Sequence, residues 1–579
     1  ALKDWDGFGL AVQAYQKRAP LLIDRLAALG ERTGRKLQVR LVKGAYWDTE
    51  VKRAQVEGLE DYPVYTRKAN TDLCFLTCAQ KLLERRDVFY PMLATHNAHT
   101  VAAIMEMAGN DRSGFEFQRL HGMGETLHDT IIRDSAGEVC IYAPCGSHEE
   151  LLPYLVRRLL ENGASTSFVH QILDERVPID QIITDPVEEA RASESKRHSK
   201  IPMPADIYGA NRLNAKGMDL KEEETLAPFV AEMDDFLKGM PFEAAPLIGG
   251  KRHAGGKSEK IVNPADISQV VGTMVSADEK LVDQAFETAR SGYETWSNTH
   301  ASDRADVLLK LADLMEEHYA PLMALCVREA GKTIPDALAE VREAVDFCRY
   351  YAMRGRDDFA PEGIKLPGPT GESNVLTMHG RGTFVCISPW NFPLAIFTGQ
   401  IVAALMAGNA VVAKPAEQTP IVASYMADLI LKAGVPADAF ALLTGDGSVG
   451  AAIVGHADVA GVAFTGSTEV ARIINRTLAA KDSAIVPLIA ETGGQNAMIV
   501  DSSALPEQVI DDVLISAFGA AGQRCSAMRV LYVQDDVAGH MIEMLKGAMA
   551  LRVISDPLQP STDTGPVIDQ EAKDKINNH

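Results

Sequence analysis

The sequence has no block of lysine and arginine residues, and its acidic residues outnumber its basic ones. It carries 57 Lys and Arg against 79 Asp and Glu, which gives a formal net charge of −22 at pH 7. Because nucleic-acid-binding surfaces are basic, this balance argues against a nucleic-acid contact within these residues. Small molecules are the expected partners.

The sequence also lacks a long uninterrupted apolar run. One of the longest, residues 395–413, contains Gly, Gln and Asn and is followed by Lys414 and Pro415. This pattern predicts a buried helix and then a strand rather than a membrane span. No signal sequence is apparent either. The cytoplasm is therefore the expected location, with peripheral association on the inner face of the membrane as an alternative.

Cysteine is scarce, with eight residues in 579 and no regular spacing. This favours a reducing compartment over a disulfide framework. Cys74 and Cys78 lie four residues apart, but no second Cys/His pair follows at zinc spacing. We therefore predict no metal site and assign both to packing.

An initiating methionine is missing, and residues 566–579 follow a polar helical pattern. We expect the chain to be part of a longer protein, cut at both ends. Residues 1–30 have the composition of a helix that continues from something earlier.

From residue 1 to 170, helical stretches alternate with short apolar runs, which predicts parallel β/α architecture. The runs lie at 37–47, 89–97, 115–123 and 139–146. Since α/β barrels keep their chemistry at the C-terminal ends of the strands, we expect it here at Lys43, His96, Gln118 and Tyr142.

Residues 171–243 do not continue this alternation of helical and apolar stretches and are polar, which predicts a linker. A second α/β pattern follows, with long helices across 301–356 and four strand-like runs, each followed by a turn or helix. It predicts a doubly wound nucleotide-binding domain over 244–490, and a further domain begins in 491–579.

The stretch "GQRCSA" contains Cys525, which alone is more often an inert packing residue than a nucleophile. The preceding residues predict a helix start or a tight turn, where backbone N–H groups favour a thiolate. Glu491, at the end of an apolar strand in "ETGGQN", is a candidate general base if burial raises its pKa. A turn or capping carboxylate is the alternative for Glu491.

Three further stretches carry candidate ligand contacts. Asn391 in "PWNFP" is an amide held by two prolines and suits an oxyanion, although turn asparagines are common. Lys414 and Glu417 in "KPAEQTP" suit ribose hydroxyls, with a surface ion pair as the alternative. Ser467 in "FTGSTEV" opens a helix suited to a pyrophosphate, although the stretch is a weak dinucleotide fingerprint.

Together these five stretches, in this order, resemble the aldehyde dehydrogenase superfamily. The resemblance implies that Cys525 is the nucleophile, that Asn391 holds the oxyanion, and that Glu491 activates the deacylating water. It implies NAD as cofactor, favoured over NADP by Glu417. Ser526, small and polar beside Cys525, suits a substrate that itself carries a carboxylate, with plain packing as the alternative. The implied NAD-binding residues are Trp390, Lys414, Glu417, Phe464, Gly466 and Ser467.

In the first half, Arg157 and Arg158 are adjacent on a predicted helix, for which a solvated face is the ordinary interpretation. Nearby apolar and aromatic residues instead favour a basic pocket for a small carboxylate beside an anionic cofactor. The stretches "RLVKGAYWD", "THNAHT", "FEFQRLHGMGE" and "RRLLENG" resemble the C-terminal half of the proline dehydrogenase (β/α)8 barrel, which binds FAD. The resemblance implies substrate contacts from Arg157, Arg158 and Tyr142, braced by Glu161, and FAD contacts from Arg40, Lys43, Tyr46, Trp47, Thr66, His96 and Gln118.

The two halves together resemble the bacterial proline utilization A family, which implies oxidation of proline through glutamate semialdehyde to glutamate. The resemblance also implies a quinone acceptor, transfer of the intermediate within the protein, and a homo-oligomer. Two alternatives remain open. In the first, the barrel is not catalytic and only accompanies an active aldehyde dehydrogenase. In the second, the longer protein is a proline-sensing transcriptional regulator with an N-terminal DNA-binding module.

Overall fold

The computed structural model describes residues 7–134, 137–163 and 176–579. The chain forms two compact units, Ala1–Ile207 and Tyr208–His579. No helix among the described residues is long and apolar enough to cross a membrane.

The first unit contains a five-stranded sheet in which all neighbouring strands are parallel. Its strands, in sheet order and chain order, are Gly9–Gln13, Leu37–Val42, Phe89–Ala94, Glu116–Leu120 and Glu138–Tyr142. Helices alternate with them at Ala19–Thr33, Trp47–Glu57, Lys68–Glu84, Ala98–Ala108, Glu125–Arg133 and His148–Gly163. Alternate strand residues such as Val39 and Phe117 share a core with helix residues such as Phe75. This arrangement confirms the predicted parallel β/α architecture.

The N-terminal stretch differs from its prediction. Gly9–Gln13 is a strand paired with Leu37–Val42, and the first helix begins only at Ala19. Val12 is 1% exposed and packs in the core. Pro20, in the first turn, suits a helix start but not a helix interior, so a continuous helix over 1–30 is wrong.

The second unit is organised by a seven-stranded sheet with helices on both faces. In spatial order its strands are Leu488–Thr492, Val459–Gly466, Thr383–Ile387, Ala410–Lys414, Phe440–Leu442, Leu247–Ile248 and Lys251–Arg252. The first five are parallel, and the last two are antiparallel additions. Within this sheet, Thr383–Ile387 comes first in the chain among the parallel strands and has parallel neighbours on both sides. Strand order reverses there, which is where doubly wound sheets bind ligands.

Apolar clusters lie on the two faces of this sheet, one around Phe397 and Ile430 and the other around Phe286 and Val412. The longer helices are Glu223–Leu237, Glu279–Trp296, Ala301–Glu317, Tyr319–Ala330, Ile334–Asp358, Ala395–Met406, Pro420–Ala433, Gly447–Gly455, Thr468–Ala479, Pro506–Val513, Asp535–Ala550 and Gln570–Asn578. Smaller sheets are formed by Phe242–Ala244, Asp266–Val275 and Ser258–Asn263, by Ile364–Leu366 and Asn374–Leu376, and by Asn496–Val500 and Met528–Val533.

The predicted linker over 171–243 is not a free connection. Its helix Pro186–Ala192 packs on Lys68–Glu84 in the first unit, with Ala190 buried. Met233 and Leu237 are buried in the core of the second unit. The apolar residues that dock these helices are too few to stand out in a polar stretch. Likewise, the predicted boundary at residue 490 falls inside the edge strand Leu488–Thr492.

Candidate active sites

In the second unit, Lys414 ends the strand Ala410–Lys414 beside the point where strand order reverses. Its side chain is buried, and its Nζ lies 2.9 Å from the carbonyl oxygen of Pro415 and 3.6 Å from Glu417 Oε2. Burial lowers the pKa of Lys414, and Glu417 opposes that change. The ion pair considered as an alternative is therefore present, but its ammonium is inside and only the Glu417 carboxylate reaches the surface.

Gly466 ends the strand on the other side of Thr383–Ile387, and Ser467 caps the helix Thr468–Ala479 by accepting from the Val470 N–H at 3.2 Å. A Cβ at Gly466 would lie 2.5 Å from the Phe464 ring. Phe464 itself is only 4% exposed, so its ring supports Gly466 from the core. A buried ammonium and a helix N-terminus at the ends of the two strands that flank Thr383–Ile387 fit the hydroxyl and phosphate groups of a dinucleotide.

Cys525 and Ser526 are exposed on a tight turn closed by the Ala527 N–H, which donates to the Arg524 carbonyl at 3.2 Å. Asn391 lies beside Trp390 in the proline-bounded turn and is partly buried. Its Nδ2 donates to the Gln523 carbonyl at 2.9 Å. The structure thus brings Asn391 to the chain two residues before Cys525. An amide has two N–H groups, and this bond uses one of them.

The turn is held by residues that the sequence analysis did not single out. Gln523 Oε1 accepts from the Ile568 N–H at 2.9 Å, and its Nε2 donates to the Pro566 carbonyl at 3.1 Å. Arg524 forms an ion pair with Asp336. Asn496 donates to the carbonyls of Cys525 at 2.7 Å and Ala527 at 3.0 Å. Just upstream, Ala520 and Ala521 have φ values of 51° and 56°, and such left-handed backbone is strained for alanine.

Glu491 lies at the end of the strand Leu488–Thr492, as predicted, opposite Thr465. Its side chain is exposed, so the burial on which its choice as a general base was conditional is absent. The strand is the last of the sheet, and no described strand covers its other edge.

In the first unit, Arg40, Gln118 and Tyr142 come together from three strands of the sheet. Arg40 Nε donates to Gln118 Oε1 at 2.9 Å, and the Arg40 guanidinium lies 4.8 Å from the centre of the Tyr142 ring. Burial raises the pKa of Tyr142, although Arg40 favours its ionised form. A cation, an amide and an aromatic ring thus share one face near the strand ends.

Arg157 and Arg158 lie on the helix His148–Gly163 and point to different aromatic rings. The Arg157 guanidinium is 6.0 Å from the ring centre of Tyr46, and that of Arg158 is 5.5 Å from Tyr154. Arg158 is also near enough to Tyr142 to lower its pKa slightly. The side chain of Glu161 lies outside the described part of the chain.

Lys43, Trp47 and Thr66 are engaged by the protein itself. Lys43 forms an ion pair with Asp72, which also binds Lys68 at 2.6 Å. Burial lowers the pKa of Lys43, and Asp72 opposes that change. Two further contacts complete the set: the Trp47 Nε1–H donates to the Tyr65 carbonyl at 2.8 Å, and Thr66 Oγ1 accepts from the His198 N–H at 3.0 Å.

His96 follows the strand Phe89–Ala94 and is the clearest candidate for a cofactor contact in this unit. Its Nε2 is buried without a hydrogen-bond partner among the described residues. Burial, together with His128 and Arg119, lowers the pKa of His96 to about 4, so the ring is neutral near pH 7. Since buried polar atoms are nearly always paired, this nitrogen fits a hydrogen bond to a bound planar cofactor such as FAD.

A cavity of about 720 Å³ lies beside the helix Lys68–Glu84. Its lining includes Thr66, Lys17, Asp61 and Arg197, but not His96 or the arginine pair. Thr66 is therefore the one predicted FAD residue that faces it. The described residues contain no group of three or more His, Cys, Asp or Glu side chains that could hold a metal ion.

The aldehyde dehydrogenase family model matches residues 252–579, more than half of the chain. The chain belongs to this family. The proline dehydrogenase family model matches residues 1–171. The aldehyde dehydrogenase part thus follows a proline dehydrogenase part in one polypeptide, as the motifs predicted.

Proteins described as bifunctional are similar to the chain over its whole length. Bifunctional protein PutA of Escherichia coli strain K12 is 50% identical over 100% of this chain, which covers 44% of that protein. A mutant of Bradyrhizobium japonicum proline utilization A has a TM-score of 0.86 and 53% identity, with 100% of this chain and 56% of that one covered. The chain therefore spans less than half the length of the E. coli protein.

A second solved structure matches part of the chain. It is the 1-pyrroline-5-carboxylate dehydrogenase from Thermus with bound NAD, at a TM-score of 0.60 and 32% identity. The match covers 62% of this chain and 70% of that one.

Proposed function

We propose that this chain belongs to a bifunctional enzyme that oxidises proline to glutamate in two steps. The observation that carries the proposal is the succession of two matched families in one polypeptide, 1–171 and 252–579, in the order of their reactions. The cyclic imine formed from proline hydrolyses to glutamate semialdehyde, which is an aldehyde dehydrogenase substrate. The 50% identity to Bifunctional protein PutA supports the pairing.

In the first step, proline is oxidised beside its nitrogen to pyrroline-5-carboxylate. Bound FAD would supply the acceptor of the two electrons and two protons that proline loses, with a quinone as the final acceptor. Arg157 and Arg158 bind the proline carboxylate, because guanidinium groups pair with carboxylates in two parallel hydrogen bonds. Tyr142 packs against the proline ring and is itself held by Arg40.

The FAD contacts proposed here follow the geometry of the first unit. Arg40 and Gln118 are hydrogen-bonded to each other and present a fixed pair of polar groups. The unpaired His96 Nε2 donates to or accepts from the cofactor, and its neutral ring adds no charge. The remaining FAD contacts are Lys43, Tyr46, Trp47 and Thr66.

In the second step, the Cys525 thiolate attacks the aldehyde carbon of glutamate semialdehyde and forms a thiohemiacetal. The second N–H of Asn391 and the backbone N–H of Cys525 stabilise its oxyanion. NAD, when bound, accepts the hydride whose loss leaves a thioester on Cys525. Glu491, exposed at its strand end, takes a proton from the water that hydrolyses this thioester to glutamate and the free thiol.

The residues at the reversal point of the sheet would hold NAD. Lys414 and Glu417 bind the adenosine ribose, and Glu417 disfavours NADP because it repels a 2′-phosphate. The N-terminus of Thr468–Ala479, with Ser467 and Gly466, binds the pyrophosphate. Trp390 and the Phe464 that supports Gly466 complete the site. NAD in the Thermus relative supports this choice.

The intact protein is proposed to be a cytoplasmic homo-oligomer that meets quinone at the membrane surface. These three properties rest on the resemblance to bifunctional relatives.

The two half-reactions can be tested separately on the intact protein. Proline with a soluble quinone should be oxidised equally by the parent and by Cys525→Ala. Pyrroline-5-carboxylate with NAD should give NADH only in the parent. A parent that oxidises the aldehyde but not proline would show that the barrel is not catalytic.

A further inference from the structure

A buried ion pair lies next to the turn that carries Asn391. Lys332 and Glu340 are 4% and 1% exposed, and Lys332 Nζ lies 2.8 Å from Glu340 Oε1. Lys332 sits in the corner between two helices, Tyr319–Ala330 and Ile334–Asp358, and Glu340 lies on the second helix.

Glu340 holds the chain immediately after the Asn391 turn. Its Oε2 accepts from the N–H groups of Leu394 at 3.3 Å and Ala395 at 2.9 Å, where the helix Ala395–Met406 begins. Leu394 offers no side-chain cap to that helix. The first N–H groups of a helix need an acceptor, and a negative charge there is stabilised by the helix dipole. Glu340 supplies both.

Lys332 contacts the turn itself. Its Nζ lies 4.2 Å from the centre of the Phe392 ring, and Phe392 directly follows Asn391. A desolvated ammonium over an aromatic face is attracted to it. Lys332 therefore contacts the turn through Phe392 and through Glu340.

The same corner also reaches the Cys525 turn. Asp336, three residues beyond the Thr333 that caps its helix, is paired with Arg524. Asn391 in turn binds the Gln523 carbonyl at 2.9 Å. The contacts therefore close a ring from the corner to Asn391, to Gln523 and Arg524, and back to Asp336.

We propose that the segment 332–340 is a positioning bracket that sets the Asn391 amide against Cys525. Lys332 and Glu340 touch neither reacting atom and act through Asn391. A buried charge left without its partner is costly, so this pair has one stable arrangement. That arrangement fixes where the amide lies. The inference rests on the proposed role of Asn391 as oxyanion donor.

The test is hydrolysis of 4-nitrophenyl acetate by the intact protein without NAD. This reaction acylates Cys525 through an oxyanion but transfers no hydride, so it reports the bracket without the cofactor. Lys332→Met should lower the acylation rate about 10-fold to 100-fold, part of the loss typical of a missing oxyanion donor. Alkylation of Cys525 by iodoacetamide forms no oxyanion and should change less than about twofold.

Glu316→Gln is the matched control. Glu316 binds the buried Arg349 at 2.8 Å, and Arg349 lies on the same helix as Glu340 but contacts neither turn in the described structure. This control also removes a charge partner from a buried guanidinium, and it should leave both rates unchanged.

Double variants decide between positioning and general loss of folding. If Lys332 acts through Asn391, Lys332→Met should add little to the loss already caused by Asn391→Ala. Additive losses, or equal losses of acylation and alkylation, would overturn the bracket. Full activity of Cys525→Ala or Asn391→Ala would instead overturn the proposed function itself.

Discussion

Asn391 donates its amide N–H to the Gln523 carbonyl at 2.9 Å, which ties two loops 132 residues apart in the chain. The bond orients the amide before any substrate arrives. Preorganised donors contribute most to catalysis because they need no rearrangement as charge develops.

Removing this amide should leave the aldehyde oxidation without its side-chain oxyanion donor. Asn391→Ala is expected to lower kcat for aldehyde oxidation by about 10²-fold to 10³-fold, with a small change in KM. Asn298→Ala, at an exposed helix end, is the control. Steady-state NADH formation from pyrroline-5-carboxylate measures both. A large rise in KM with unchanged kcat would assign Asn391 to ground-state binding.

Gly466 tests the proposed dinucleotide site. A Cβ there would meet the Phe464 ring at 2.5 Å and displace either the ring or the strand end. We expect Gly466→Ala to raise the KM for NAD by about tenfold or more, because small shifts at a phosphate-binding turn break several hydrogen bonds. At Gly455 a Cβ meets no described atom within 4 Å, so Gly455→Ala should leave the KM for NAD unchanged. Equal effects of the two variants would contradict this site.

The arginine pair is tested with proline as the varied substrate. Arg158→Met keeps much of the side-chain length but removes the guanidinium, and it should raise the KM for proline by about tenfold or more through loss of a charged hydrogen bond. Arg133→Met, on a neighbouring helix where its side chain is 72% exposed, is the matched control. An unchanged KM for proline in Arg158→Met would mean that Arg158 does not bind the substrate and belongs to a solvated helix face.

His96 predicts a local pH dependence of stability. Its folded pKa of about 4 lies below the ordinary 6.5. Between these values the unfolded chain binds a proton that the folded chain does not, so stability falls as the pH drops below 6.5. The loss reaches about 2 kcal/mol between pH 7 and pH 5.

Hydrogen exchange of the strand Phe89–Ala94, compared between His96→Asn and the parent, measures this effect. The loss of stability between pH 7 and pH 5 should be about 2 kcal/mol smaller in His96→Asn than in the parent. The buried His128, whose pKa is also lowered by burial, remains in both proteins. Identical pH dependence in the two proteins would contradict the burial of His96.

In both sheets, the strands that end in polar or glycine residues could be predicted from the sequence. The strand ends at Lys414 and Gly466 were recognisable because apolar runs stop there abruptly. The strand Gly9–Gln13 was missed because five residues before a long helical pattern carry little periodic signal.

The supports of the site could not be read from the sequence. Arg524 and its partner Asp336 are 188 residues apart, and nothing local in either stretch indicates the other. Lys332 and Glu340 look like an exposed helix pattern, and only the packing around them reveals buried charges. The exposure of Glu491 was equally invisible in the sequence, because only the sheet order shows that its strand is the last one.

The most direct test supplies proline, a quinone and NAD to the intact protein and follows NADH absorbance. Proline-dependent NADH should form in the parent and not in Cys525→Ala, in which pyrroline-5-carboxylate should accumulate. NADH that forms only when pyrroline-5-carboxylate is added would contradict a working proline dehydrogenase in the first unit.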